Sequence, residues 1–253
     1  MKRQNIKVAK LIFYLAIIGL VLFSLSLSFW YTLLHYKLNW INFAFYTFSW
    51  WSVQTSLILL LFALGGVINI FWPKYLQFIN NDNFKLFLVF ISVVTSIFFT
   101  IGIFVSLATN TKFTPNNDGQ AIYWISTAIG HWILPIAIII YFFVNSEVKE
   151  INLKRFYLKD LHKFYYFPIG YTIYIAVREV VLLVLPVDEK LFNYASGVGN
   201  YYAPYFFQDF RQTAYYILYL IVLAILIFLI LTILILINNI RYYRRKNQLL
   251  KEE

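Results

Sequence analysis

The chain has no cysteine, which excludes disulfides, thiolate nucleophiles and cysteine-based metal or iron–sulfur sites. It is also short of charge. Only 13% of its 253 residues are Asp, Glu, Lys or Arg, against 61% hydrophobic, and the mean hydropathy is +0.70. Those values lie far from the usual composition of a soluble domain and identify an integral membrane protein. Glycine and proline are scarce as well, at nine and six, and no Gly/Ser- or Pro-rich linker interrupts the chain. No internal repeat is evident, so residues 1–253 read as one transmembrane domain. The abundance of Ile, Phe, Tyr, Asn and Lys suggests an AT-rich, bacterial genome.

What is present is a series of long apolar stretches. Six of them, at about 11–34, 50–72, 85–108, 122–144, 164–186 and 214–237, reach the roughly 20 residues that a helix needs to cross a ~30 Å hydrocarbon core. None shows the ten-residue alternation of barrel strands, and lipid forces backbone hydrogen bonds to close within the segment. The expected fold class is therefore all-α, a polytopic six-helix bundle. The first stretch follows a basic start but exceeds a signal-peptide core in length and lacks a small-residue cleavage site, so it reads as a retained anchor.

Orientation follows from the basic residues. Lys2, Arg3, Lys7 and Lys10, then Lys74 and Lys85, then Lys149, Lys154, Arg155, Lys159 and Lys163, and finally Arg241, Arg244, Arg245, Lys246 and Lys251 share one set of connections. The alternate connections hold only Lys37, Lys112, Lys190 and Arg211. By the positive-inside rule both termini are expected in the cytoplasm, and the protein in the cell membrane. This asymmetry accounts for most of the net charge of +10, so nucleic acid is not an expected partner. The basic tail can instead attract anionic lipid headgroups. Residues 150–162 mix apolar and basic positions at near-helical spacing, as in a short interfacial helix. The aromatic segment 187–212, with Tyr194, Tyr201, Tyr202, Tyr205 and Asp209, reads either as an external lid or as an aromatic belt.

Against this background the polar residues inside spans two, four and five stand out, because ionisable groups in a membrane default to a functional hypothesis. Span two opens with Ser49, Ser52 and Ser56 at offsets of three and four, with Thr55 beside them, a stripe that suits either helix packing or a nucleophile. Span four contains His131 with Pro135 four residues on. Proline has no N–H, so the His131 carbonyl loses its helical partner and a kink is expected there. The imidazole can serve as a general base or simply as a hydrogen-bonded core histidine. Span five carries Arg178 and Glu179, which point about 100° apart and need separate partners. Arg178 suits either a structural ion pair or the carboxylate of a lipid-like ligand. Helical rise places Ser52 within about 5 Å of the outer face, His131 about 15 Å below it and Arg178 about 12 Å below it. No set of His and carboxylates at ligand spacing suggests a metal, and no cofactor is expected.

Four strings, taken together and in order, resemble a six-span superfamily. It comprises the androgen-induced gene proteins, the androgen-dependent TFPI-regulating protein and related bacterial membrane proteins. The strings are Phe48-Ser-Trp-Trp-Ser52-Val-Gln-Thr-Ser56, His131-Trp-Ile-Leu-Pro135, Phe167-Pro168-Ile-Gly-Tyr171-Thr-Ile-Tyr174-Ile-Ala-Val-Arg178 and Tyr202-Ala-Pro204-Tyr205-Phe206-Phe207. Eukaryotic members hydrolyse fatty acid esters of hydroxy fatty acids with an intramembrane threonine and a histidine. The resemblance implies Ser52 at the threonine position and His131 at the histidine position, with Ser56 replacing the family's asparagine. It also implies an intramembrane hydrolase of lipid esters; the depths of Ser52, His131 and Arg178 in the outer half add the expectation that substrate enters from the outer leaflet. Substrate contacts are expected from Ser49, Thr55, Ser56, Tyr171, Tyr174, Arg178, Glu179 and Tyr205. A non-enzymatic lipid- or small-molecule-binding protein or transporter is the alternative; membrane lipids are expected partners in either case.

Overall fold

The structure, a computed structural model, describes residues 2–36, 47–108, 120–145, 149–184, 208, 210–211 and 213–252. Among them there is no strand. Eight α-helices follow in order: α1 (Lys2–Tyr36), α2 (Trp51–Phe71), α3 (Asp82–Ala108), α4 (Gln120–Ala128), α5 (Leu134–Asn145), α6 (Leu153–Lys159), α7 (Leu161–Val184) and α8 (Thr213–Glu252). A π-helical turn, Ile129–Ile133, joins α4 directly to α5, and a 3-10 turn, Gln77–Asn80, precedes α3.

Six helical segments are long and apolar enough to cross a membrane: Asn5–Leu33, Trp51–Phe71, Asp82–Phe104, Ala121–Val144, Leu161–Val184 and Thr213–Gln248. These coincide with the six expected stretches. The outermost helices run further than expected. With its 40 residues, α8 is about 60 Å long, twice the thickness of the hydrocarbon core. Its extension carries Arg, Lys, Gln and Leu, all good helix formers, so the helix continues past its apolar part.

Packing follows the small and hydroxyl residues, as it must where lipid tails are as apolar as leucine. Along α2 and α4 lies α1, while α3 lies along α5 and the π turn. At Gly66 the Tyr14 ring approaches so closely that a Cβ would stand 2.5 Å from it. Only glycine admits that approach. Tyr14 then reaches across to Tyr141 on α5, hydroxyl to hydroxyl at 2.6 Å, and both rings pack against Phe62. Further along α1, Ser24 Oγ donates to the Ser126 carbonyl and Ser126 Oγ donates back to the Ser24 carbonyl, each at 2.9 Å.

Asparagines on α8 hold the connection into α6. Asn239 accepts from Ile151 N–H and donates to the Ile151 carbonyl, both at 2.9 Å, and Asn238 donates to the Lys149 carbonyl at 2.8 Å. Arg241 donates to the Phe143 carbonyl, with its guanidinium over the Phe143 ring. The short helix expected over 150–162 is present as α6, capped by Asn152, whose side chain accepts from Arg155 N–H at 2.9 Å. The aromatic segment 187–212, by contrast, lies outside the described residues except at Gln208, Phe210 and Arg211.

Candidate functional site

Pro135 determines the local geometry of the fourth span. With no N–H to return to the His131 carbonyl, the helix widens into the π turn, where Leu134 N–H reaches back to the Ile129 carbonyl. The orphaned His131 carbonyl is not left bare, because Ser96 Oγ on α3 donates to it at 2.5 Å. One side of the His131 ring stacks on Phe99, with centroids 4.1 Å apart. Its Nδ1 lies 2.9 Å from the Thr127 carbonyl oxygen. A carbonyl offers only lone pairs, so Nδ1 carries the proton and donates, and in the neutral ring Nε2 presents its lone pair. Nε2 has no hydrogen-bond partner among the described residues and is not one of the fully buried polar atoms.

Ser52 is the second residue of α2 and is half-buried. Its hydroxyl has no partner among the described residues either. No hydrogen bond joins Ser52 to His131. Their levels in the bundle are nonetheless linked through α3. There Thr95 Oγ1 accepts from the Trp51 indole N–H at 3.1 Å and lies 3.2 Å from Thr55 Oγ1, while the next residue, Ser96, bonds the π turn. Thr55 and the His131 carbonyl are thus tied to consecutive residues of α3, and Ser52 precedes Thr55 by three residues, just under one helical turn.

The remaining polar residues form a second group around α7. Tyr171 is buried and donates to the Ser49 carbonyl at 2.8 Å, with its ring edge-on to Trp51. Its hydroxyl also lies 3.5 Å from Gln208 Oε1, and Gln208 Nε2 donates to the Tyr219 hydroxyl at 3.2 Å. Arg178 and Glu179 are almost wholly enclosed, at 1% and 0% exposure. Glu179 Oε2 accepts from Phe210 N–H at 3.1 Å, so Phe210 is held against α7 and Gln208 against α7 and α8. Ser49, Thr55 and Ser56 are buried and Tyr174 is half-buried. Tyr205 lies outside the described residues, as do Asp188, Glu189 and Asp209. Thus the expected site residues divide between a group around the π turn and a group around Tyr171, with Trp51 touching both through Thr95 and Tyr171.

Sequence reasoning missed Thr95, Ser96, Gln208 and Tyr219. A signal for the first two exists, since Ser92, Thr95, Ser96 and Thr100 put hydroxyls into the third span at helical spacing. Among the described residues no group of three or more His, Asp or Glu could hold a metal ion. Compared with known proteins, the chain matches no family model, no curated protein and no solved structure.

Proposed function

We propose that this multi-pass membrane protein is a hydrolase of lipid esters, with Ser52 as nucleophile and His131 as general base. The observation that carries this reading is the pair of unengaged atoms, Ser52 Oγ and His131 Nε2, on two spans that Thr95 and Ser96 of α3 tie together. In this mechanism Nε2 removes the Ser52 proton as Oγ attacks the ester carbonyl carbon. The acyl–oxygen bond then breaks, the proton passes to the departing alcohol, and water later releases the acid. Thr127 holds the imidazole in the tautomer this needs, the part a carboxylate plays in a hydrolase triad.

The resemblance to the androgen-induced gene superfamily supports the same two residues. Under this reading the termini are cytoplasmic, the cell membrane is the location, and substrate arrives from the outer leaflet. Thr55 supplies an oxyanion donor. Tyr171 is less suited to that part because its hydroxyl already serves Ser49.

The test is labelling by an alkyl fluorophosphonate in detergent, with the adduct mapped by mass spectrometry. A Ser52 adduct, lost in Ser52→Ala and strongly slowed in His131→Ala, is the expected result. A folded protein that takes no label overturns the reading. The missing direct bond between Ser52 and His131 favours a second reading, a lipid-binding protein that performs no chemistry; lipid binding unchanged in Ser52→Ala, without labelling, would establish it.

A further inference from the structure

A groove of about 270 Å³ runs between α7 and α8, with Thr172 and Leu220 beside the Tyr171 and Tyr219 group. Tyr165, Pro168, Ile169 and Thr172 line one wall, and Leu223 and Ala224 belong to the other. Its polar atoms are turned inward. Tyr165 OH donates to the Ala224 carbonyl at 3.2 Å, and Thr172 Oγ1 donates to the Pro168 carbonyl at 2.9 Å. The surface left to an occupant is hydrocarbon.

From Tyr165 to Ile173 the α7 wall extends about 12 Å. A helix with its side chains is about 10–12 Å across and too bulky for so small a groove, whereas an extended hydrocarbon chain suits its apolar lining. At the Tyr165 end of the groove sits α6. Tyr157 stacks on Phe228, one residue beyond the groove-lining Ile227, and bonds Thr232 at 2.6 Å. Its outer side exposes Lys154, Arg155 and Lys159, with the exposed Lys163 beginning α7; Asp160, bonded to Lys163, is the one acid among them. A single-chain apolar slot thus opens beside a surplus of positive charge.

We propose that this groove is a binding site for an anionic phospholipid, with one acyl chain lying along Pro168–Thr172 and the phosphate at the α6 cations. The site is independent of the hydrolase reading, and its failure would leave that reading standing.

Native mass spectrometry of the full chain, titrated in detergent with phosphatidylglycerol or phosphatidylcholine of identical acyl chains, tests it. One phosphatidylglycerol per chain, held at least ten-fold more tightly than phosphatidylcholine, is expected, since each surface cation contributes about five-fold. Lys159→Gln/Lys163→Gln, changes at exposed side chains, should erase most of that preference. Ala224→Leu, which narrows the slot, should weaken both lipids together while the melting temperature stays near that of the parent. Equal affinity for the two lipids, or a preference that survives the lysine changes, overturns the proposal. So does a second copy of the chain occupying the face in place of lipid.

Discussion

Ser96 donates to the carbonyl of His131, completing across two helices the bond that Pro135 cannot make within one. Two changes test that account together. Ser96→Ala strips the carbonyl of its donor and should destabilise the protein by about 1–2 kcal/mol, the range for losing a hydrogen bond in a membrane interior. Pro135→Ala restores an N–H four residues on. In that background Ser96→Ala should cost markedly less, as read by a double-mutant cycle on unfolding in mixed detergent. Equal losses in both backgrounds would show that Ser96 does not substitute for the missing helical bond.

The chemistry is tested by hydrolysis of a long-chain ester in detergent. Ser52→Ala and His131→Ala should each lower kcat by about 10²–10⁴-fold, the usual worth of a nucleophile's base, and the double variant should be hardly worse than either single one. Ser52→Thr should keep measurable turnover, because the hydroxyl is retained. Ser49→Ala, which keeps the backbone carbonyl that Tyr171 bonds, should retain turnover. A Ser49 variant as inactive as the Ser52 variant would move the nucleophile to the wrong residue.

Much of the fold is written in the sequence, and the reason is physical. A bilayer demands long apolar helices, so composition alone delivers the six spans, and Pro135 alone delivers an orphaned carbonyl at His131. Neither says who answers that carbonyl. Ser96, the reciprocal Ser24–Ser126 bonds and the Asn239 clamp on Ile151 join residues 35, 102 and 88 positions apart. Periodicity shows which face of a helix is polar but not which other helix that face meets. Heights counted from span ends likewise take no account of how far neighbouring helices slide past each other.

Gly66 offers a sharper test of the packing. Gly66→Ala would drive a Cβ into the buried Tyr14 ring, pushing α1 off α2, and should destabilise by about 1–3 kcal/mol. Gly65→Ala meets only the tip of the Ile79 side chain, which can turn aside, so its penalty should be smaller. Gly19→Ala has no atom within 4 Å of the new methyl and should gain up to about 1 kcal/mol from helix propensity. Thermal unfolding in detergent should rank the three in that order, and a Gly66 variant as stable as the Gly19 variant would refute the contact.

The hydroxyl pair of Tyr14 and Tyr141 sits in the same contact region, and single and double substitutions should behave differently there. Tyr141→Phe leaves the buried Tyr14 hydroxyl without the partner it has at 2.6 Å. The cost should be about 1–3 kcal/mol, the desolvation penalty of an unmade bond. Tyr14→Phe/Tyr141→Phe removes both hydroxyls and leaves the rings, which still pack on Phe62 and, through Tyr141, on Phe13. Replacing both partners by apolar groups of the same shape is close to neutral, so the double variant should be more stable than either single one. If the two losses simply add, the hydroxyls act separately and the bond between them contributes nothing to holding α1 against α5.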